Sequence, residues 1–177
     1  MIRHPGGEAR TRHLLDQADF APMDRILDMG AGDGNAVKIM KKLGFDACGI
    51  DLCPGEPDII KGDFLNTGFS PESFDGVLSQ CSFYVSGDVE AAVREAVRLL
   101  KPGGWFLFSD VWFDTEEALR QMLERNGLCI RNIEDHSEEW KEYYIESIWN
   151  GTMEAVCGGT GRCRYYSVTA GKYRNAF

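Results

Sequence analysis

Alternating glycines set between two acids are the residues of this chain best placed to do chemistry. In Arg25-Ile26-Leu27-Asp28-Met29-Gly30-Ala31-Gly32-Asp33-Gly34-Asn35 an apolar stretch runs into D-x-G-x-G-x-G. Glycines there allow positive φ and a close backbone approach, and a helix opening after them presents unpaired N–H groups. This is how nucleotide-type cofactors are seated. The dinucleotide fingerprint G-x-G-x-x-G is not completed, because counting from Gly30 puts Asn35 where the third glycine belongs. Asp28 and Asp33 would repel a pyrophosphate and would attract a ligand with a positive centre and no phosphate.

S-adenosylmethionine, a sulfonium, fits that description. At Leu27 to Gly34 the chain resembles the first motif of class I S-adenosylmethionine-dependent methyltransferases. Gly49-Ile50-Asp51-Leu52 is similar to the family's second strand, and Gly62-Asp63-Phe64 to its adenine-side turn. Ser73-Phe74-Asp75-Gly76-Val77-Leu78 resembles the fourth strand, and Leu99-Leu100-Lys101-Pro102-Gly103-Gly104 the turn before the fifth. The motifs fall in order between Arg25 and Val111. The resemblance implies that Asp28, Gly30, Ala31, Gly32 and Gly34 shape the methionine end of the cofactor site. It further implies that Asp51 and Leu52 flank the ribose, that Asp63 and Phe64 hold the adenine, and that Gln80 completes the site. Asp28 could equally organise the loop backbone alone.

These residues need a frame. The order of apolar runs and helical patterns implies an α/β fold, and the resemblance implies that it is Rossmann-like, with a seven-stranded, mostly parallel sheet in the order 3-2-1-4-5-7-6, strand seven antiparallel. We expect a single domain over 1–177, with an N-terminal lid helix in 1–22 and the cofactor-binding core in 23–136. An inserted helix and a Gly/Cys loop follow in 137–164, and the last strand and tail in 165–177. Strand three is expected over 58–62. Ser86 is the expected cap of the helix that begins near Val89.

Two departures from the family pattern stand out. Between strands two and three lie only Leu52-Cys53-Pro54-Gly55-Glu56-Pro57, too rich in Pro and Gly for a helix, so the crossover is shortened to a loop. A parallel sheet needs cover on both faces, and the candidates are the N-terminal helix, the inserted helix, or a second copy in a homodimer. Between strands six and seven, residues 138–155 have helical periodicity, with Trp140, Tyr144 and Ile148 at i, i+4 and i+8. This helix is expected either to pack its aromatics on the bared sheet face or to form a substrate lid.

Methyl transfer from a sulfonium is already activated, so the protein mainly positions the nucleophile and excludes water. The acceptor side is expected after strand four, with Cys81, Phe83, Tyr84 and, from strand five, Trp112 lining it. Tyr84 and His13 are the candidate proton acceptors. The stretch Ser79-Gln80-Cys81-Ser82 is neither Asn-Pro-Pro-Tyr nor Pro-Cys, which opposes planar amino groups and cytosine C5 as acceptors. It also lacks the strand-end acid of a magnesium-dependent enzyme, and no metal is expected. What remains is similar to the ubiquinone/menaquinone-type small-molecule methyltransferases. Two alternatives stay open: a soft acceptor such as arsenite held by Cys157 and Cys163, and a non-catalytic cofactor-binding module.

Composition narrows the partners. A formal charge of −9 and a pI near 4.8 oppose binding to a phosphate backbone, so no nucleic acid partner is expected. No stretch of 18 apolar residues and no signal-like N-terminus is present, which reads as a cytoplasmic protein without membrane insertion. Its six cysteines form no C-x-x-C pair and are expected to be thiols.

Overall fold

A computed structural model describes residues 4–151 and 163–174. The chain begins with α1 (Gly7–Asp16), β1 (Arg25–Met29), α2 (Asn35–Lys42), β2 (Asp46–Asp51) and β3 (Ile60–Lys61). It continues through β4 (Phe74–Gln80), α3 (Val89–Leu99), β5 (Leu100–Trp112), α4 (Glu116–Arg125), β6 (Leu128–Asp135), α5 (Ser137–Trp149) and β7 (Arg164–Lys172). The strands form one sheet in the order β3-β2-β1-β4-β5-β7-β6. Pairing is parallel from β3 to β5, and β7 runs antiparallel to both β5 and β6. The expected topology is therefore the observed one.

Residues 26–29 of β1 are all buried, as a central strand covered on both faces requires. On one face α3 and α4 pack over Phe74, Val77, Phe106 and Phe108. On the other, Leu14 and Leu15 of α1 and Val37 and Met40 of α2 pack over Ile26, Leu78 and Leu107. Helix α4 starts where Thr115 accepts a hydrogen bond from the Ala118 N–H and ends before Gly127 at φ 88°.

The cap of α3 differs from expectation. Asp88, whose carboxylate accepts from the Ala91 N–H at 2.9 Å, is the N-cap. Ser86 belongs to the preceding 3₁₀ turn, Tyr84–Ser86, and accepts from the Asp88 N–H. Strand β3 is also shorter than the expected 58–62. The Ile59 N–H donates to the Glu56 carbonyl, so Asp58 and Ile59 sit in a turn and leave only two residues for pairing.

The crossover between β2 and β3 is a loop, as its prolines dictate, and it supplies its own cover. The Gly55 N–H donates to the Gly32 carbonyl at 2.7 Å, and Lys38 and Lys41 of α2 pair with Glu56 and Asp58. These ties turn Ile59 inward, where it is buried with Ala31, Val37 and Ala47. One apolar side chain thus occupies the edge that a helix would cover.

Helix α5 does not cover the sheet. It packs chiefly on β7, and only Ser137 and Ser147 are buried along it. Trp140 stacks on Tyr144 within the helix, with ring centroids 5.0 Å apart, while Ile145 and Trp149 are exposed. The reason is that α1 already occupies the face, fixed by Gln17 to Thr169 of β7 and by Arg10 to His136 and Glu139. Continuation of the inserted helix to residue 155, and Cys157, lie outside the described residues.

Candidate functional site

A cavity of about 770 Å³ opens at the carboxyl ends of β1, β2 and β4. Strand order reverses between β1 and β4, and such a switch point leaves a crevice because the crossovers on its two sides leave in opposite directions. Of the sequence-predicted cofactor residues, Asp28, Gly30, Ala31, Gly32, Asp51, Leu52, Phe64 and Gln80 line it. Cys81 lines it from the predicted acceptor set.

The glycine loop is pinned from both sides. The N–H groups of Gly30 and Ala31 both donate to the Ile50 carbonyl of β2, and the Ser82 hydroxyl donates to the Gly30 carbonyl. Gly30, Gly32 and Gly34 all have positive φ. Asp51, at the end of β2, accepts from the Gly32 N–H at 2.9 Å through one oxygen and from the Cys53 N–H at 2.8 Å through the other. It therefore holds the loop while its remaining lone pairs stay available to ligand hydroxyls.

Asp28 is buried, and its carboxyl is pushed up to about 7 by that burial first, then by Asp51 and Asp33. A carboxyl half ionised near neutral pH beneath a cavity is poised to respond to a cation entering above it. Glu8, Asp33 and Glu56 also line the cavity, and Lys38 is engaged with Glu56 at 2.7 Å. The lining is therefore strongly acidic, which disfavours phosphates and favours a cationic ligand.

The acceptor side is built by the turn after β4. Cys81 has φ 53°, a conformation costing on the order of 1 kcal/mol for a residue with a side chain. It is held there because its N–H donates to the Ser109 carbonyl and its Sγ lies 3.3 Å from the Tyr165 hydroxyl. Burial pushes the Cys81 thiol up to about 12, which keeps it protonated at neutral pH in the free protein. Burial likewise raises Cys163. Asp110, itself pushed up to about 6 by burial, accepts from the Tyr84 N–H at 3.0 Å and fixes the turn that follows. The Gln80 side chain accepts from the Thr11 hydroxyl at 2.8 Å, tying α1 to the cavity wall.

Several predicted residues lie elsewhere. Gly34 shapes the loop but is packed against Ile59 and does not line the cavity. Asp63 accepts from the Leu65 N–H at 2.8 Å through one carboxylate oxygen and is outside the cavity lining. Phe83 is fully buried among Phe64, Phe106 and Phe108 and is outside the cavity lining. Tyr84 stacks on Phe113, and the Trp112 indole donates to the Thr115 carbonyl; both are outside the cavity lining. His13 is on the surface with Glu134 and Gln17, far from any role as a base in this cavity.

The structure adds His4, Gly7, Glu8, Ser82 and Val85 to the lining. Ser82 and Val85 flank the strand-four motif and were legible as neighbours of Cys81. The contribution of 4–8 had no motif to announce it, because it depends on where α1 docks.

The sheet order and connections are those of the class I methyltransferase fold. Residues 27–108 match the family model described as a methyltransferase domain. Among curated proteins, an uncharacterized methyltransferase of Geobacillus kaustophilus is 31% identical over 133 residues, covering 67% of this chain and 61% of that protein. An arsenite methyltransferase of Aquipseudomonas alcaligenes is 29% identical over 133 residues, covering 60% of this chain and 38% of the relative. The chain thus spans less than two thirds of the length of these relatives. Among solved structures, phosphoethanolamine N-methyltransferase 2 of Haemonchus contortus, in complex with S-adenosyl-L-methionine, superposes with a TM-score of 0.76 at 17% identity. That match covers 96% of this chain and 54% of the other, and it bears on the fold. No helix among the described residues is long and apolar enough to cross a membrane.

Proposed function

We propose that the protein binds S-adenosylmethionine in the 770 Å³ cavity and transfers its methyl group to a small-molecule acceptor by direct in-line displacement. The observation that carries this reading is the acidic lining at the switch point, where Asp28, Asp33 and Asp51 surround a glycine loop. A sulfonium with an ammonium group is drawn to such a lining, whereas a dinucleotide is repelled. In this reading Gly30, Ala31 and Gly32 meet the methionine end, Asp51 and Leu52 the ribose, and Phe64 the adenine. Gln80 and Cys81 stand on the acceptor side.

The protein supplies position and dryness. Chemistry already resides in the sulfonium, so the rate depends on holding the acceptor in line and keeping water out. Helix α1, held to Gln80 by Thr11, is the wall that does the second task. The quinone-type acceptor rests on sequence resemblance alone.

Calorimetry with S-adenosylmethionine and S-adenosylhomocysteine tests the first half of the reading, and both are expected to bind. Incubation with methyl-labelled cofactor and a panel of small amines, phenols and quinols tests the second. Tight binding with no transfer to any of them would favour a non-catalytic cofactor-binding module.

A further inference from the structure

We propose that His4 is the general base of this site, removing the proton from a neutral or cationic protic acceptor as that acceptor attacks the donor methyl. The inference rests on the reading that the cavity holds S-adenosylmethionine. Of the chain's three histidines, His4 alone lines the cavity; His13 and His136 are engaged with Glu134 outside it. Its Nδ1 lies 3.2 Å from the Pro5 carbonyl oxygen. A carbonyl oxygen can only accept, so Nδ1 carries the proton and Nε2 keeps its lone pair. That is the tautomer a base requires.

The charge state agrees with the geometry. Burial lowers the imidazole below its usual range and the Arg10 guanidinium of α1 lowers it further, while the Pro5 carbonyl and Asp33 of the glycine loop work against both. Glu139 of α5 pairs with Arg10 from the far side. The net direction favours the uncharged ring. Of the other groups at the cavity, Lys38 pairs with Glu56, Glu8 pairs with Arg12, both oxygens of Asp51 accept backbone N–H groups, and Asp28 is buried beneath the loop. Because Lys38 is taken, an anionic acceptor gains no cationic partner there, so amines and hydroxyls are the better-matched acceptors.

The step balances without a co-reactant. The acceptor heteroatom gives its proton to His4 Nε2 and its electron pair to the methyl carbon. The carbon–sulfur bond breaks, its electrons pass to sulfur, and the products are the methylated acceptor, neutral S-adenosylhomocysteine and an imidazolium.

The test combines tautomer and rate. Long-range proton–nitrogen NMR of the protein with S-adenosylhomocysteine at pH 7.5 should show His4 protonated at Nδ1 and bare at Nε2. An Nε2–H tautomer would overturn the proposal. Methyl transfer to ethanolamine, phenol and 4-nitrophenol is then compared between the wild type, His4→Ala and His4→Gln. The variants should lose about 100-fold or more in rate on ethanolamine and phenol, with far less loss on the already ionised 4-nitrophenolate, and imidazole should partly restore His4→Ala. Rates within threefold of wild type on all three would overturn it. Affinity for S-adenosylhomocysteine should change less than twofold. Loss of binding in the wild type itself would instead remove the cofactor reading.

Discussion

The Ser82 side chain stands where a Cβ on Gly30 would have to be: an added methyl at Gly30 would meet Ser82 Oγ at 2.2 Å. Ser82 cannot simply swing away, because its hydroxyl donates to the carbonyls of Gly30 and Gln80 and so ties the glycine loop to the end of β4. Gly30→Ala should therefore displace the loop. With φ at 88° adding strain, unfolding free energy should fall by about 1–3 kcal/mol and cofactor affinity by more than tenfold. Gly30→Ala combined with Ser82→Gly removes the clash but not the strain, and should recover part of both losses. Urea denaturation and calorimetry on the two variants measure the difference.

The relation between Gly30 and Ser82 also marks how far the sequence could be read. The glycine loop, the strand-end Asp51 and the looped crossover were legible because each depends on local pattern: apolar runs of strand length, glycines at strand ends, and prolines that forbid a helix between β2 and β3; the strand order followed from the family resemblance. What failed was anything set by docking. Phe83 lies three residues beyond Gln80 in the predicted acceptor stretch, yet the 3₁₀ turn sends it into the aromatic core. The stripe on α5 has helical spacing, but spacing cannot say that α1 takes the sheet face first. For the same reason His4 and Glu8 reach the cavity without any motif of their own.

Asp28 should make cofactor binding depend on pH. Its carboxyl, raised to about 7, is largely protonated below that value, and a bound cation favours the ionised form. Affinity for S-adenosylmethionine should rise from pH 6 to pH 8, with proton release on binding that calorimetry in buffers of different ionisation enthalpy will register. Stability of the free protein runs the other way. A raised acid binds its proton more tightly folded than unfolded, so its contribution is fully present below the ordinary value of 3.8 and is lost progressively as pH climbs from there through about 7. Asp28→Asn should stabilise the free protein by roughly 1–3 kcal/mol at pH 8 and weaken cofactor binding. A pH-independent affinity would contradict this role.

Asp51 performs two tasks that substitutions can separate. It accepts from the Gly32 and Cys53 N–H groups and, in the proposed reading, from the ribose hydroxyls as well. Asp51→Ala should weaken S-adenosylhomocysteine binding by roughly 1.5–3 kcal/mol. Asp51→Asn keeps one carbonyl acceptor and should fall between it and wild type. Adenosine and 2′,3′-dideoxyadenosine provide the control: the wild type should distinguish them, and Asp51→Ala should do so much less.

Ile59 should matter as much as a helix residue although it sits in a loop. Its side chain is buried against Val37 of α2, and it closes on Gly49 of β2 so tightly that a Cβ there would meet its Cδ1 at 3.0 Å. If this side chain covers the β2 edge, Ile59→Ala should cost about 2–5 kcal/mol and Ile59→Val about 0.5–1.5 kcal/mol, both read by urea denaturation. Lys38→Met should cost far less than Ile59→Ala, because its bridge to Glu56 is half exposed and screened. The contrast identifies which contact holds the crossover loop on the glycine loop. If burial of Ile59 is that contact, Ile59→Ala should weaken cofactor binding too, since Gly55 would no longer be held against the Gly32 carbonyl. Equal losses from Ile59→Ala and Lys38→Met would shift the role to the ion pair.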